Sequence, residues 1–587
     1  MSKLPNTNAT YQAYNTITHS HRQSLANMTS ATTHKVYNIQ NKVINTLQLK
    51  IESYHKLHKI KKRNKKLKEL PIGIQSFERL RKGNYLYVDK TDKLLHLIAK
   101  GERYFLSRPR RFGKSLTLST LEAMFNGRNE LFNGLAAEKW VNEQSKAPSA
   151  VLRLDISTCE DETTDIFKQS LHEMLSRSAR RFNVELYSQT ITGIFQDLIE
   201  GIYKNKGPIV VLIDEYDKPI LDSINDLKKA EALRSILRSF YSVLKSCDEC
   251  IRFILLTGIS KFSKVGVFSA LNNLEDISMD EQFNDIVGYT QTELEYFFND
   301  RITNVALKLK ITETELLERL QEYYDGFSFD GKTRLYNPFS IMQCLKKEEF
   351  NNYWYESGSP SFIVEYMKTH KIQDPEEYRH KIVKSDFTSS KEIERAEPHS
   401  FLFQSGYLTI EKKQDQLLTL DYPNREVLDS ISSMYLELIY NIEGYALLGN
   451  KIWKALKKGD IFEVVRLYNI ALYGIPYDDY SNNRNEFWYR SMFVMLLRGA
   501  GIIAYSEPHT SKGRADVVLQ FQDLVVVLEF KFAKRSSDIE GKELEGLQQL
   551  NDRGYAKNYN IENRKVIAAV IVANDEARQV QINSTHS

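Results

Sequence analysis

The sequence predicts a large α/β protein whose first folded part is built around a parallel sheet. Two stretches carry this prediction, Gly207–Asp217 ("GPIVVLIDEYD") and Ile251–Ser260 ("IRFILLTGIS"), which are continuous apolar runs. Such runs are typical of strands that are buried on both faces of a parallel sheet. Helical patterns separate the predicted strands, and this alternation is typical of a doubly wound α/β fold.

Length and composition exclude several classes of protein. At 587 residues, and with about 150 residues per domain, the chain is expected to form three or four units. No apolar run approaches the roughly 18 to 20 residues that span a bilayer, and the first residues lack the apolar core of a secretory signal. The four cysteines are too few for a disulfide framework in so long a chain. These observations predict a cytoplasmic protein with no membrane partner.

The positive charge is concentrated in one run near the N-terminus. Lys56–Lys68 ("KLHKIKKRNKKLK") holds eight Lys and Arg residues, and subtracting them from the net charge of +4 leaves −4 for the rest of the chain. A nucleic-acid-binding coat over the whole surface is therefore not expected. We interpret residues 1–69 as a mobile polar extension that ends in a basic, helix-compatible segment. It is either a solvated tail or a nucleic-acid contact.

From Leu70 the pattern alternates between strand and helix. "NYLYVDKT" and "YFLSRP" are predicted short strands, "TDKLLHLIAK" and "SLTLSTLEAMF" are predicted helices, and "SAVLRLDIS" is a further strand. After about Glu293 the segments are mostly helical, apart from a β-ribbon predicted over Phe401–Ile410. A second helical block follows Arg425, and an αββ pattern begins near Asn482. The predicted divisions are 1–69, 70–292, 293–425, 426–480 and 481–587.

The stretch "FLSRPRRFGKSLTLST" contains the second half of a phosphate-binding loop. Gly113 lets the backbone approach a phosphate, Lys114 supplies a positive charge, and Ser115 supplies a hydroxyl for Mg²⁺ where a helix begins. The glycine expected five positions before Gly113 is replaced by Arg108. In isolation the stretch is compatible either with a nucleotide site or with a basic turn that precedes a helix.

Polar residues at the ends of two predicted strands favour the nucleotide site. Asp214 ends the strand in "VVLIDEYD", where a Mg²⁺-holding carboxylate is expected, and Glu215 is placed to polarise the attacking water. Thr257, followed by Gly258, ends the next strand and is either a sensor of the γ-phosphate or a simple strand cap. The proposed nucleotide ligands are residues of the loop and of these strand ends: Arg110, Arg111, Phe112, Gly113, Lys114, Ser115, Leu116, Asp214 and Thr257.

These motifs resemble the AAA-ATPase-like family common in bacteria. The resemblance covers roughly Leu70 to Ser430 and includes "LPIGIQSFERLRKGNYLYVDKT", "RPRRFGKS", "LIDEYDKPI", "LFQSGYLTI" and "LDYPNREV". It implies ATP and Mg²⁺ as cofactors and a P-loop NTPase core followed by a helical, winged-helix-like region. In this family the loop itself reads RPRRFGKS, so Arg108 matches the family although it departs from the general phosphate-loop pattern.

The C-terminal region contains a second group of polar residues. Gly513–Ala533 ("GRADVVLQFQDLVVVLEFKFA") is predicted to form two strands joined at Gln522–Asp523. Residues two apart on a strand share a face, so Glu529 and Lys531 point the same way and a neighbouring strand can bring Asp516 to them. Two carboxylates and a lysine can hold one or two Mg²⁺ ions and a water for phosphodiester hydrolysis.

The order of these elements resembles the PD-(D/E)XK nuclease superfamily, which implies an α/β restriction-endonuclease-like domain. By this resemblance Asp516 and Glu529 are expected to hold metal, and Lys531 to orient water or stabilise the transition state. Glu486, on a preceding helix, is expected to support the metal site. Gln549 is predicted to take a secondary role, either on the phosphate side or in positioning a strand.

Three functions are compatible with these motifs. The first is a nuclease that acts on nucleic acid, with DNA expected before RNA, and that is driven or gated by ATP. A homo-oligomer is a compatible assembly. The second is a nucleotide-dependent switch or DNA-binding protein whose nuclease-like domain does not cleave. The third is a phosphotransferase that uses Asp214 and Glu215. Detection of ADP with free phosphate would exclude the third.

Overall fold

In a computed structural model of the chain, the described part begins at residue 67, so the predicted basic extension lies almost entirely outside it. The description that follows covers residues 67–261, 273–356, 361–370, 372, 374–388, 396–440, 442, 444–475, 484–506, 509–510, 513–521, 524–554 and 565–586. In these ranges every helix is too short or too polar to span a bilayer.

A five-stranded parallel sheet forms the centre of the first folded part. Its strands are β1 (Arg103–Ser107), β2 (Val151–Asp155), β3 (Ile209–Asp214), β4 (Ile251–Gly258) and β5 (Glu275–Asp276). They lie in the order β2-β3-β4-β1-β5. All residues of β3 are buried, as expected for an apolar strand in the middle of a parallel sheet. Because β4 lies between β1 and β3, the carboxyl ends of these three strands meet at one edge.

Helices cover this sheet and connect its strands. They are α1 (Phe77–Lys82), α2 (Thr91–Lys100), α3 (Lys114–Phe125), α4 (Glu138–Gln144), α5 (Thr164–Phe182), α6 (Ile191–Lys206), α7 (Lys218–Leu221) and α8 (Leu227–Ser246). The sequence sets several of their first residues. The Ser76, Thr163 and Thr190 hydroxyls accept backbone N–H groups at the starts of α1, α5 and α6, which satisfies donors that a helix leaves unpaired.

The middle region is mostly helical. Its helices are α9 (Gln291–Phe297), α10 (Asn299–Leu309), α11 (Glu313–Tyr324), α12 (Pro338–Lys347), α13 (Tyr353–Glu356), α14 (Ser361–Thr369) and α15 (Pro398–Ser405). They are followed by α16 (Arg425–Met434), α17 (Tyr445–Lys458) and α18 (Ile461–Gly474). A three-stranded antiparallel sheet is also present, formed in the order β6-β8-β7 by β6 (Lys381–Lys384), β7 (Thr409–Gln414) and β8 (Leu417–Asp421).

A second, mixed sheet lies at the C-terminus. Helix α19 (Glu486–Gly499) precedes it, and α20 (Ile539–Arg553) connects two of its strands. The strands are β9 (Ile503–Ser506), β12 (Val517–Phe521), β13 (Leu524–Ala533), β14 (Lys565–Asn574) and β15 (Gln579–His586). A short hairpin of β10 (His509–Thr510) and β11 (Gly513–Arg514) lies between β9 and β12. The strand order in the sheet is β15-β14-β13-β12-β9, with β13 and β14 parallel and the other pairs antiparallel.

Two predicted elements are wrong. "NYLYVDKT" forms no strand, and its Leu86 N–H instead bonds Glu69 O. The predicted ribbon over Phe401–Ile410 is helix α15 followed by the start of β7. Proline at the first position of α15 and Gly406 in the left-handed region after it set these helix ends. The predicted turn Gln522–Asp523 falls outside the described residues.

Candidate functional sites

The phosphate loop connects β1 to the N-terminus of α3. Gly113 caps this helix with φ of 100°, and Arg111 also has a positive φ, of 66°. Only glycine adopts the Gly113 conformation without strain. The first N–H groups of α3 have no partner within the helix and face forward from its end, where the helix dipole is positive. This is the local geometry that binds a phosphate.

Lys114 is positioned by the loop itself. Its buried Nζ donates to Arg108 O at 2.9 Å and to Pro109 O at 3.2 Å. The Glu215 carboxylate is 4.0 Å from the same nitrogen. The ammonium group therefore stays inside the curve of the loop, where a phosphate would replace the two carbonyl oxygens as its partner.

Asp214 lies at the shared edge of β3 and β4. Its Oδ1 accepts the Thr257 hydroxyl at 2.7 Å, and Arg153 Nη2 is 3.9 Å from its Oδ2. Arg153 also donates to Ser115 O at 3.3 Å. The carboxylate and the Ser115 residue are thus held by one arginine, beside the start of α3. Asp214 offers a carboxylate and Ser115 a hydroxyl, which are oxygen ligands of the kind that Mg²⁺ takes.

Glu215 follows Asp214 with a strained backbone. Its φ is 50°, a left-handed value that is uncommon for a residue other than glycine, asparagine or aspartate. Burial raises the pKa of its carboxyl, while the positive charge of Lys114 lowers it. Because it lines the same cavity as the loop, Glu215 has the position expected of a group that orients water near a bound phosphate.

A cavity of about 480 Å³ opens in front of the loop. This volume is within the range of small-molecule sites, roughly 300 to 1,000 Å³. Its lining includes residues 110–115 and Glu215, and an apolar part is lined by Val88, Ile286, Val287, Phe339 and Met342. A phosphate-binding loop and an apolar part in one cavity fit a nucleotide.

Arg108 explains why no glycine is needed at its position. Its buried guanidinium donates to Ser107 O at 3.0 Å and Ser278 O at 2.6 Å, and a second nitrogen donates to Asn284 O at 3.2 Å. It also lies 4.0 Å from the centre of the Phe329 ring. Burial lowers the pKa of Arg108 to about 9. The side chain therefore ties the loop to the β5 region and to the middle region.

The middle region contacts the rest of the loop as well. Trp354 Nε1 donates to Arg110 O at 3.2 Å, and Asn337 Nδ2 donates to the same oxygen at 3.4 Å. Arg111 lies 5.1 Å from the Phe339 ring. The Phe112 ring packs edge-on against Phe327. The middle region therefore holds the phosphate loop in place, and a change in the conformation of one is expected to alter the conformation of the other.

Asp516 and Glu529 meet on adjacent antiparallel strands of the C-terminal sheet. Val517 pairs with Leu528, so Asp516 stands just before β12 beside the end of β13 that carries Glu529. The Phe530 N–H donates to Asp516 Oδ2 at 2.7 Å. Glu529 is completely buried. The predicted convergence of these carboxylates is therefore seen in the structure.

Lys531 and Glu486 complete this group. Lys531 Nζ donates to Glu529 Oε1 at 2.8 Å. Burial and the charge of Asp516 raise the pKa of Glu529 to about 7, and Lys531 opposes them. Burial also raises the pKa of Glu486, which Lys531 lowers and Asp516 raises further. Burial would lower the pKa of Lys531, but Glu529, Glu486 and Asp516 together raise it. The pKa values of Glu486, Glu529 and Lys531 therefore depend on the charges of their neighbours in this group.

The geometry of the C-terminal group fits a metal ion. Glu529 Oε2 is buried and has no hydrogen-bond partner among the described residues, and an unpaired buried carboxylate oxygen is costly. A divalent ion at this oxygen would supply the missing partner. Gln549 lies half-buried on α20, which packs on β13 and β14.

Comparison with known proteins connects these two sites to two families. Residues 71–268 match the family model described as "Predicted AAA-ATPase", and residues 484–582 match "PD-(D/E)XK nuclease superfamily". The chain is also 34% identical over 504 residues to the "Uncharacterized protein in vnfD 5'region" of Azotobacter chroococcum mcd 1, covering 84% of this chain and 94% of that protein. The chain belongs to the AAA-ATPase-like family. Its C-terminal domain is of the PD-(D/E)XK superfamily.

Solved structures give weaker likenesses. The ORC1 protein of Aeropyrum pernix, in complex with DNA, is 11% identical with a TM-score of 0.22, covering 73% of this chain and 88% of that chain. The ORC2 protein of the same organism, in ADPNP and ADP complexes, is 11% identical with a TM-score of 0.24, covering 76% and 90%. Both TM-scores are below 0.5, so the family assignment depends on the sequence matches.

The AAA-ATPase-like domain contains site residues that the sequence did not reveal. Arg153 lies on β2, far in sequence from the loop and from Asp214, and its neighbours become known only when the sheet is formed. Trp354 and Asn337 reach the loop from the middle region. In the PD-(D/E)XK domain, Arg490 was likewise missed, although it lies one turn after Glu486 on α19. Its spacing of four residues from a candidate acid was the available signal.

A further cluster of possible metal ligands lies on the three-stranded sheet. His380, Glu411 and Asp421 bring ligand atoms within 4.8 Å of one another. However, Arg379 already donates to both oxygens of Asp421, at 3.1 and 3.2 Å. His380 Nδ1 is 2.8 Å from Glu411 Oε2. We therefore interpret this cluster as a network of ion pairs rather than as a metal site.

Proposed function

We propose that this AAA-ATPase-like protein is an ATP-gated, metal-dependent nuclease that acts on nucleic acid, with DNA as the first candidate. The observation that carries the proposal is the presence of both sites in one chain, joined by buried contacts. One site presents a phosphate loop with Lys114 and Asp214; the other presents Glu529, Lys531 and Asp516 around an unpaired carboxylate oxygen.

In the ATP site, each residue has a defined task. The N–H groups at the start of α3 and the ammonium of Lys114 hold the phosphates. Ser115 and Asp214 hold Mg²⁺, with Arg153 and Thr257 orienting them. Glu215 orients the attacking water, and its raised pKa favours acceptance of a proton. The apolar end of the cavity holds the base.

In the nuclease site, Glu529 and Asp516 hold the metal and Glu486 supports them. Bound metal supplies Lewis-acid activation of a phosphodiester and of water. Lys531 stabilises the developing negative charge, since its ammonium is buried beside the carboxylates. DNA is proposed before RNA as the substrate because the C-terminal domain is of the PD-(D/E)XK nuclease superfamily.

The proposal is tested by assaying ATP hydrolysis and nucleic-acid cleavage with Mg²⁺ or Mn²⁺. Lys114→Ala should abolish ATP hydrolysis, and Asp516→Ala should stop cleavage while leaving ATP binding intact. Cleavage that persists in both Asp516→Ala and Lys531→Ala would contradict the assignment of the C-terminal group as the nuclease site. ADP with free phosphate as products would also exclude a phosphotransferase.

A second candidate function is a nucleotide-dependent switch that binds DNA without cutting it. It is favoured by the state of the C-terminal carboxylates in this structure, where Lys531 bonds Glu529 and Arg490 bonds Asp516. Tight DNA retention with ATP, and no cleavage with Mg²⁺ or Mn²⁺, would support this function instead of the first.

We also propose a cytoplasmic location and assembly into a homo-oligomer. All four cysteines, Cys159, Cys247, Cys250 and Cys344, are free thiols, which suits a reducing compartment. Cell fractionation tests the location. Light scattering with and without ATP tests the assembly, and a monomer in both conditions would contradict it.

A further inference from the structure

The side chain of Arg490 donates a hydrogen bond to an oxygen of Asp516, a proposed metal ligand of the nuclease site. Its Nη1 donates to Asp516 Oδ1 at 3.0 Å, and the two groups form a salt bridge. Both side chains are mostly buried, with 7% of the Arg490 side chain and 14% of the Asp516 side chain exposed. The second oxygen of Asp516 accepts the Phe530 N–H. Both Asp516 oxygens are thus bound to protein donors.

The charges of the site are largely balanced by its own side chains. Three carboxylates, of Glu486, Asp516 and Glu529, lie with two cations, Lys531 and Arg490. Each cation bonds one carboxylate, which offsets most of the negative charge that would otherwise attract a divalent ion. Glu529 Oε2 is buried and has no hydrogen-bond partner among the described residues, so it is available to a metal ion.

The position of Arg490 makes it able to exchange partners. It lies four residues after Glu486 on α19, so the two side chains lie on the same face of the helix. The guanidinium is also 5.2 Å from the Phe487 ring. A guanidinium is planar and always charged, and it bonds phosphate as well as carboxylate. It can therefore leave Asp516 for a phosphate that enters the site.

We propose that Arg490 gates metal loading: it holds Asp516 until a phosphate of the nucleic acid takes its place as the partner of the guanidinium, and Asp516 then becomes free to bind the metal. This inference rests on the proposed nuclease function and adds the order of events, substrate before full metal binding. It also assigns Arg490 as a phosphate contact of the substrate.

The first arm of the test measures metal binding without nucleic acid or nucleotide. Mn²⁺ is titrated calorimetrically into the full chain and into Arg490→Gln. Removing the competing charge should tighten Mn²⁺ binding by at least about tenfold. Arg466→Gln is the control, because Arg466 is an exposed arginine of α18 that pairs with Glu463, and it should leave Mn²⁺ affinity unchanged. An Arg490→Gln affinity equal to or below that of the parent would overturn the proposal.

The second arm measures binding of a fluorescent duplex oligonucleotide by anisotropy in EDTA, where no metal-dependent cleavage occurs. Arg490→Gln should bind more weakly, and its plot of log affinity against log salt should be shallower by about 0.9, the contribution of one phosphate contact. Unchanged affinity and slope would also overturn the proposal. If Arg490→Gln fails to fold, Arg490→Met replaces it, since methionine keeps a long unbranched side chain and removes the charge.

Failure of the nuclease function would be distinguishable from failure of this inference. A parent protein that neither binds nor cleaves any nucleic acid refutes the proposed function. The Mn²⁺ arm still decides whether Arg490 competes with metal at Asp516.

Discussion

Arg108 shows how one residue can replace a glycine in a phosphate loop and add a structural role. Its guanidinium bonds backbone oxygens of Ser107, Ser278, Phe283 and Asn284. The Phe329 ring lies 4.0 Å from the guanidinium carbon, and the charges of Asp276, Asp330 and Asp285 also favour the protonated form. The loop can thus keep its shape without the conformational freedom of glycine at this position.

Arg108→Leu should destabilise the ATPase part of the chain by at least about 3 kcal/mol, because several buried carbonyls would lose a charged donor. The measurement is urea unfolding followed by circular dichroism. Arg79→Leu is the control: Arg79 is exposed on α1, and a change there should stay within about 0.5 kcal/mol. Equal effects of the two changes would contradict the role assigned to Arg108.

Glu426 provides a pH-dependent prediction. It is completely buried, its Oε1 accepts Trp354 N–H at 2.7 Å and the Ser340 hydroxyl at 3.0 Å, and burial raises the pKa of its carboxyl from 4.5 to about 8. Between these pH values the folded chain holds a proton that the unfolded chain releases. This contribution to stability is therefore complete below pH 4.5 and is lost as pH rises towards 8.

Glu426→Gln removes that proton exchange. The free energy of unfolding of the variant, relative to that of the parent, should therefore rise as the pH increases from 5 to 8, by up to about 1.4 kcal/mol per pH unit. The melting temperature of the variant should rise relative to that of the parent in the same direction. Thermal unfolding at four pH values measures this difference. A constant difference across the range would show that the Glu426 carboxyl is already ionised at neutral pH.

The residues of the candidate sites could be predicted from sequence only where the pattern is local. Gly113, Lys114 and Asp214 are identified by their neighbours at a helix start and a strand end. Glu529 and Lys531 share a strand face, so their proximity follows from spacing alone. Arg153 and Arg490 have partners 61 and 26 residues away, and nothing in the local pattern indicates which carboxylates they meet.

At the scale of elements, contact between α15 and the phosphate loop is unusually close. Gly406 ends α15 with φ of 91°, and a Cβ there would lie 2.6 Å from Pro109 Cβ. Gly406→Ala should therefore displace the loop and weaken nucleotide affinity by at least about tenfold, since a shift of the phosphate-binding groups misplaces several contacts. Calorimetric titration with a non-hydrolysable ATP analogue measures this affinity.

Gly444→Ala separates backbone strain from this clash. Gly444 has φ of 69°, but a Cβ there would meet nothing within 4 Å. Gly444→Ala should lose about 1 to 2 kcal/mol of folding stability to left-handed backbone strain, as Gly406→Ala does. Its nucleotide affinity should be unchanged. Equal losses of affinity in the two variants would contradict a direct contact between α15 and the loop.

The same helix shows why an element can be mispredicted. Phe401–Phe403 and Tyr407–Leu408 are bulky and apolar, a composition typical of strands, yet Pro398 and Gly406 mark the ends of a helix of eight residues. Every side chain of α15 from Ser400 to Ser405 is buried, the polar Gln404 among them, so the stretch carries no helical alternation of apolar and polar residues. Tertiary burial thus removed the helical signal. Strands β3 and β4 were recognisable because their apolar runs have the length of strands and β3 ends on acids.

At the scale of the whole molecule, buried contacts connect the ATP site to the nuclease helix. Arg110 O accepts Trp354 Nε1–H, and the Trp354 N–H donates to Glu426 on α16. Helix α16 packs against α19, which carries Glu486 and Arg490 into the nuclease site. A change in the phosphate loop can therefore reach the gate at Arg490 through a continuous chain of packed residues.

Trp354→Phe tests this connection, because phenylalanine keeps much of the ring packing but lacks the N–H that bonds Arg110 O. ATP binding itself should change by less than about threefold, since one hydrogen bond is worth roughly 0.5 to 1.5 kcal/mol. The ratio of cleavage rates with and without ATP should fall towards one. An unchanged ratio would show that the signal follows another route.

The most direct test of an ATP-gated nuclease is a cleavage assay on duplex DNA with Mg²⁺, run with and without ATP on three proteins: the parent, Lys114→Ala and Asp516→Asn. We predict that ATP changes the cleavage rate of the parent at least severalfold, that Lys114→Ala cleaves at one rate in both conditions, and that Asp516→Asn does not cleave. Cleavage by Asp516→Asn at the parent's rate, or an equal response of the parent and Lys114→Ala to ATP, would contradict the account.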